Sequence, residues 1–363
     1  MKYMFLLLPL VYLIGNGYLF WRIWQTMIGI PLWGKVVATI LFWLIAVSLF
    51  IVIGLREMQL PDGLLKPMFN IGAVWMVFLL YMVLLLCVLG IAKIFIPTMG
   101  NTLWYALVTT ICLLLYGYVN YKHPRVEHIN VLLEKEFEGN PMRIVAVSDV
   151  HLGYGTGIST LRNYVKLIND QHPDLILITG DLIDNSLRPL LHEPFDEVLS
   201  TLHAPMGIYM VPGNHEYISG MEACDEFLKR TPICLLRDSI VTLSNGIQLV
   251  GRDDRTNRRR KSLIELLHQT DNRYPVIVLD HQPYQLAKVD SLGVDIQLSG
   301  HTHHGQVWPL SLVTDYLYEQ SHGYRKWKHT HIWVSSGLSL WGPPFRIGTD
   351  SDMAVIELLQ LCH

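Results

Sequence analysis

RIVAVSDVH, residues 143–151, decides the fold: a β-branched run, Arg143 to Ser148, passes directly into an aspartate and a histidine two positions apart. Short apolar runs of this kind read as strands buried on both faces. The same construction recurs four times. LILIT (175–179) runs into Gly180-Asp181-Leu182-Ile183-Asp184, and GIYMV (207–211) into Gly213-Asn214-His215-Glu216. VIVL (276–279) is followed by His281-Gln282-Pro283, and DIQL (295–298) by Gly300-His301-Thr302-His303. Residues 158–171, 191–203 and 219–230 show helical spacing between the runs. The last sixty residues read as mainly extended, with 332–335 and 354–359 as strands. Strands alternating with helices predict an α/β domain of stacked sheets covered by helices.

Ligands bind at the carboxyl ends of strands in such sheets, which share one edge. Five successive strands ending in Asp, Asn or His therefore predict one convergent site. Mixed oxygen and imidazole donors suit a pair of divalent transition ions, Mn, Fe or Zn, better than Ca or Mg. A lone D-x-H or H-x-H carries little weight. All five in order have no structural explanation, because a core does not collect this many polar groups without partners. The glycines before Asp181, Asn214 and His301 are expected to free the backbone for a sharp turn out of each strand.

The ordered set D-V-H, G-D-L-I-D, G-N-H-E, H-Q-P and G-H-T-H resembles the calcineurin-like metallophosphoesterase superfamily over roughly residues 142–360. Ser148 to Gly153 and Gly300 to Gln306 look most like its YkuE- and YaeI-type branch, some members of which hydrolyse the pyrophosphate of UDP-2,3-diacylglucosamine. The resemblance implies an α/β/β/α sandwich holding two divalent metal ions. It assigns Asp149, His151 and His303 to one ion and Asn214, His281 and His301 to the other, with Asp181 bridging both. His215 becomes the non-ligand histidine beside the scissile phosphate. Arg346 matches a late arginine placed against substrate. His304 stands where glycine is usual and would narrow or recharge the mouth of the pocket, and Glu216 stands where aspartate is commoner. The reaction expected is in-line attack on phosphorus by a hydroxide generated between the ions, with His215 protonating the departing oxygen. Asp184 reads as closing the turn after its strand.

Outward from this domain the composition changes abruptly. Residues 1–121 hold only 8 of the 59 Lys, Arg, Asp and Glu side chains and none of the 16 histidines, so the two parts belong to different solvents. Uncharged stretches of 19, 20, 26 and 28 residues lie between Lys2 and Arg22, Lys35 and Arg56, Lys66 and Lys93, and Lys93 and Lys122. About 20 apolar residues cross a bilayer. Four transmembrane helices are therefore expected, near 3–21, 36–55, 70–92 and 102–121, with Pro31, Pro61 and Pro97 in the connections. Lys2 is too thin a basic region, and nothing near residue 25 enough like a small-residue cleavage site, for a signal peptide. Trp21, Trp24, Trp33 and Trp104 fall near span ends, as an interfacial belt requires. The expected organisation is a transmembrane region 1–121, a linker 122–141 with one edge strand at 125–133, and a catalytic domain 142–363. Lys2, Arg56, Lys66, Lys122, Arg125 and Lys135 on one side oppose Arg22, Lys35 and Lys93 on the other, which predicts a multi-pass protein with a cytoplasmic catalytic domain.

The part after residue 121 is net acidic, which argues against nucleic acid as substrate. Its cysteines, Cys224, Cys234 and Cys362, form no disulfide framework. The one strong charge run, Arg255-Thr256-Asn257-Arg258-Arg259-Arg260-Lys261, reads either as a seat for lipid or substrate phosphates or as a solvated loop. Residues 308–330 are aromatic enough to face lipid or cover substrate. The partners expected are membrane lipids and a phosphate-containing substrate, which the branch suggests is lipid-linked. Two other readings compete: a tethered phosphodiesterase or phosphatase for soluble substrates, and a membrane sensor with a regulatory phosphoesterase domain. The spans carry no acid, base or histidine for an ion path, which weakens the sensor.

Overall fold

The computed structural model describes residues 2–55, 60–139 and 141–361, the side chains of 2–8 excepted. The Lys2 side chain, Arg56 and Cys362 lie outside the described residues. The chain divides into two compact units, the first covering residues 1–119 with 342–345, the second 120–341 with 346–363.

The first unit is helical. Its helices are α1 (Lys2–Trp24), α2 (Leu32–Gly54), α3 (Asp62–Phe95) and α4 (Thr102–Tyr121). Among the described residues three of them, α2, α3 and α4, are long and apolar enough to cross a membrane. Pro31 and Pro61 sit at the N-caps of α2 and α3, where a missing N–H removes no helical bond. Helix α3 starts at Asp62, well before the expected residue 70, because Pro61 and the acidic first-turn Asp62 make a good helix start. Lys66 therefore lies on the helix and not in a loop. Gly72 lets α2 and α3 approach backbone to backbone: a Cβ there would meet the Leu49 amide and the Ser48 hydroxyl. Buried Asn16 donates to the Tyr12 carbonyl and accepts from Trp75 Nε1 at 2.9 Å, so this apolar bundle leaves its amide satisfied.

Among its described residues the second unit has twelve strands: β1 (Arg125–Leu133), β2 (Met142–Val147), β3 (Leu175–Ile178), β4 (Ile208–Met210), β5 (Ile233–Leu235), β6 (Ser239–Thr242), β7 (Gln248–Gly251), β8 (Val276–Leu279), β9 (Ile296–Ser299), β10 (Gly323–Lys326), β11 (His331–Val334) and β12 (Asp352–Gln360). They form two six-stranded mixed sheets, ordered β1-β12-β2-β3-β4-β5 and β10-β11-β9-β8-β7-β6. The inner faces of both sheets share one core, in which Ile144, Leu177, Leu249, Ile277, Leu298 and Ile356 are buried. Strands β3 and β8 are buried on both faces, which is why LILI and VIVL show no polar alternation. On the outer face of the first sheet, helix Ile158–Asn169 buries Leu161, Tyr164, Val165 and Ile168, one stripe of a 3.6-residue period. Helices Leu263–Leu267 and Leu286–Ser291 cover the second sheet from outside.

The strand expected at 125–133 is β1, parallel to β12 at the sheet edge. Strands β5, β6, β7 and β10 were not expected, because each is short and none runs into one of the five polar motifs that mark the ends of β2, β3, β4, β8 and β9. The helix expected at 191–203 is two short ones, Arg188–His192 and Phe195–Leu199, separated at Pro194. That expected at 219–230 divides into Asn214–Ser219 and Met221–Leu228 at Gly220, whose φ of 96° no right-handed helix accommodates. The tail expected to be extended contains helix Leu310–Leu317.

Candidate metal centre

Five strand ends meet at one place. From the first sheet, β2 delivers Asp149 and His151, β3 delivers Asp181, and β4 delivers Asn214 and His215 at the start of a helical turn. From the second, β8 delivers His281 and β9 delivers His301 and His303. Backbone bonds lock neighbouring loops in register, from Asp149 N to Gly180 O and from His151 N to Asp181 O, both 3.0 Å. Asp149, His151, Asp181, His301 and His303 all have positive φ, between 47° and 73°. Each such residue costs roughly 1–3 kcal/mol and persists only where the surroundings impose it. The strain thus falls on the candidate ligands themselves. Only Gly180, at φ 91°, uses glycine's conformational freedom as expected. Gly213 and Gly300 serve close approach, since a Cβ on either would collide with the Asp181 or Asp149 carboxylate.

The side chains form two groups with Asp181 between them. In the first, His303 Nε2 lies 3.4 Å from Asp149 Oδ1 and 3.0 Å from His151 Nε2. In the second, His281 Nε2 lies 3.2 Å from Asp181 Oδ2 and 3.3 Å from Asn214 Oδ1, with the His301 ring 5.1 Å from that of His281. Asp149, His151 and His303 could hold one ion and Asp181, His281 and His301 another, the donor atoms of each group lying within 4.8 Å. His151 Nε2 is also 3.8 Å from Asp181 Oδ2, which links the groups.

The electrostatics fit a divalent cation. Burial raises the carboxyls of Asp149 and Asp181, but the surrounding histidines outweigh it and hold both below the usual carboxylate range. Burial depresses His303 to about 3 and, together with the charge of His281, His301 to about 4, so both imidazoles offer lone pairs at neutral pH. Burial also pulls His151 down, yet the adjoining carboxylates of Asp149, Asp184 and Asp181 carry it up to about 10. His281 is raised as well, against its burial, chiefly by Asp181. Protons on these two rings thus supply the positive charge that buried carboxylates demand, a role that metal ions fill equally well. His151 Nε2 and His303 Nε2 face each other at 3.0 Å beside Asp149 Oδ1, close enough for one ion to bind both.

The calcineurin-like phosphoesterase family model matches residues 142–305, the stretch that supplies all these side chains. A Helicobacter pylori protein described as an uncharacterized metallophosphoesterase is 33% identical over 248 residues, covering 67% of this chain and 66% of its own length. The chain carries a calcineurin-like metallophosphoesterase domain. A Danio rerio transmembrane protein with metallophosphoesterase domain is 32% identical over 273 residues, covering 70% of this chain and 62% of that one. Bacillus subtilis YkuE is 29% identical over 263 residues, covering 67% and 89%. The chain thus spans slightly under two thirds of the Helicobacter and Danio relatives. The family consists of metal-dependent phosphoester hydrolases with a dinuclear divalent centre.

Three residues of this metallophosphoesterase site act differently from the sequence expectation. Asp184 does more than close a turn: its Oδ1 lies 3.5 Å from His151 Nδ1 and 3.2 Å from His215 Nδ1, outside hydrogen-bond alignment but well placed to orient both rings. Glu216 is fully buried and accepts the N–H groups of Asp181 (3.0 Å) and Gly213 (2.7 Å) at Oε2 and of Ile183 (2.9 Å) at Oε1. One carboxylate thereby ties together the two loops that carry Asp181 and Asn214. Arg346, expected against substrate, is instead fully buried. It donates to the carbonyls of His303, Ser336, Gly337 and Ser339 and to the Ser351 hydroxyl, because burial forces a guanidinium to find internal acceptors. It positions the His303 loop.

His215 is buried with its ring edge-on to His151 at 4.6 Å. His304, the other expected substrate contact, belongs to neither metal group and turns to Asp315 and His322. The basic run is partly internal. Arg260 joins Arg252 on buried Asp280, and Arg255 lies 4.4 Å above the ring of Tyr284, so Arg258, Arg259 and Lys261 carry what remains of its outward charge.

Proposed function

We propose that this chain is a membrane-anchored phosphohydrolase that cleaves a phosphodiester or pyrophosphate bond at a two-metal centre. The observation that carries the reading is the position of Asp181, whose buried carboxylate lies between an Asp149-His151-His303 group and a His281-His301-Asn214 group, His301, His303 and Asn214 being half-buried at its mouth. Asp149, His151 and His303 would hold one ion and Asn214, His281 and His301 the other, with Asp181 placed to serve both. When bound, the ions supply Lewis acidity that clamps the phosphate and lowers the pKa of the attacking water. The residues of the chain do the rest. Asp184 orients the His215 imidazole through Nδ1, which frees Nε2 to hand a proton to the departing oxygen. Glu216 and Arg346 hold the ligand loops, and the left-handed ligand residues arrive pre-organised.

The spans at 3–21, 36–55, 70–92 and 102–121 anchor the enzyme with its catalytic domain, 142–363, in the cytoplasm. A lipid-linked pyrophosphate, of the UDP-2,3-diacylglucosamine kind, is the substrate class we favour. Exposed Trp308, Leu312, Val313, Tyr316 and Leu317 support it, since so apolar a surface close in sequence to His301 and His303 suits an acyl chain. The test is Asp181→Ala in detergent-purified protein, assayed with Mn for bound metal and for turnover of lipid-linked pyrophosphates beside soluble nucleotides. Loss of metal and of turnover is expected. A variant that keeps both overturns the centre, and a wild type that turns over soluble substrates alone overturns the lipid assignment.

A further inference from the structure

The expected dinuclear ligands leave one histidine-carboxylate group unused. His304, Asp315 and His322 bring a ring nitrogen each and a carboxylate oxygen within 4.8 Å of one another and share no residue with the other groups. The imidazoles of His304 and His322 stack, with centroids 3.5 Å apart and planes 15° apart. Both direct a nitrogen at the same oxygen: Asp315 Oδ1 is 3.4 Å from His304 Nε2 and 3.9 Å from His322 Nδ1. A tetrahedral ion with bonds of about 2.0–2.1 Å sets its donor atoms roughly 3.3 Å apart and lies in the plane of each imidazole it binds, so one of the two stacked rings must turn to complete the group. Buried Ser321 donates its hydroxyl to Asp315 Oδ1 and fixes that carboxylate, and its oxygen lies 3.0 Å from His322 Nδ1, a bond that metal binding would replace. Orienting bonds of this kind are what metal-bound carboxylates receive.

We propose that His304, Asp315 and His322 form a third metal site, for Zn2+ or a similar transition ion, separate from the dinuclear centre. Two imidazoles and one carboxylate are a zinc-type donor set, and they leave a fourth position for water. The three residues come from different segments. His304 follows His303 directly, Asp315 lies on helix Leu310–Leu317, and His322 precedes β10. An ion shared among them fastens that helix to the loop that carries His301 and His303. Thr302 already makes one such tie, donating to the Ser321 carbonyl at 2.5 Å. The third ion is a positioning element and does not touch the phosphate.

The experiment counts metal. Detergent-purified full-length protein is stripped with chelator, reloaded with Zn2+, desalted and measured by inductively coupled plasma mass spectrometry. Three ions per wild-type chain are expected, and two in His322→Ala and in Asp315→Asn. The His322 and Asp315 side chains are 46% and 47% exposed, so both variants should fold, and far-ultraviolet circular dichroism checks this. Asp181→Ala loaded with Co2+ should retain one ion with the intense visible absorption of tetrahedral cobalt. A wild type holding two ions, with two in both variants as well, overturns the proposal, as does a third ion that survives both substitutions. A single wild-type ion lost in His322→Ala but kept in Asp181→Ala would uphold this site while refuting the dinuclear reading.

Discussion

Glu216→Gln tests whether the metal centre is built by its backbone clamp as much as by its ligands. The carboxylate takes two N–H bonds on Oε2, from Asp181 and Gly213, and one on Oε1, from Ile183. A glutamine in its best orientation keeps the two on one oxygen and sets its NH2 group against the Ile183 N–H, so two buried donors face each other. Losing one bond to a charged acceptor costs about 1.5–3 kcal/mol, and weakening the other two adds about 1 kcal/mol. Relief acts in the opposite direction, because burial and then the charge of Asp181 raise the Glu216 carboxyl to about 7, so removing its charge recovers part of the loss. The net expectation is a destabilisation of about 2–3 kcal/mol for Gln and about 3–6 kcal/mol for Ala, which strands three buried N–H groups. Because Asp181 and Asn214 ride on the clamped loops, Mn affinity should fall at least tenfold in both variants. Urea unfolding followed by tryptophan fluorescence and calorimetric Mn titration measure the two effects. If Glu216→Gln unfolds within about 0.5 kcal/mol of wild type, the experimental scatter for a neutral surface change, and binds Mn unchanged, the clamp argument is wrong.

Asp184→Asn and His215→Ala should each keep full metal content while lowering turnover, by about 10²–10⁴-fold for His215; a His215→Ala enzyme as fast as wild type on a poor leaving group removes the proton-donor role. Asp352 accepts bonds from Ser335 and Ser336; burial lifts its pKa to about 6 from 3.8. A raised folded pKa gives stability that is full below the unfolded value and lost as pH rises through the folded one, so the chain should lose roughly 3 kcal/mol between pH 4 and 6. Asp352→Asn should flatten that slope in unfolding titrations, and an unchanged slope refutes the assignment. Gly72→Leu should force α2 and α3 apart and lower the melting temperature in detergent, while Gly90→Leu, at a position with nothing within 4 Å, serves as the tolerant control.

The candidate site was legible because its residues obey a rule that sequence displays directly: each polar pair begins where a buried strand ends. Asp149, Asp181, Asn214, His281 and His301 stand two to four residues beyond their strands, and the sheets then leave them nowhere to go but the shared edge. The supporting residues follow no such rule. Whether Glu216 is a ligand, a surface acid or a clamp depends on which backbone N–H groups face it, and that is settled only when β3 and β4 lie side by side. The same holds for Arg346, whose partners at 303, 336, 337 and 339 are neighbours in space and not in sequence. The glycines at 213 and 300 carry a sharper lesson. Glycine in a strand-end motif suggests a special backbone angle, yet here it clears room for a carboxylate while aspartate and histidine adopt the left-handed angle themselves. That arrangement is costly in isolation, and it makes sense only if ions repay the strain by binding to residues already turned toward them. It follows that the metal-free protein should be measurably less stable than the loaded one, by RT ln(1 + [M]/Kd) for each ion bound. Chelator should therefore lower the melting temperature of wild type by clearly more than that of Asp181→Ala, which has only the third ion left to lose.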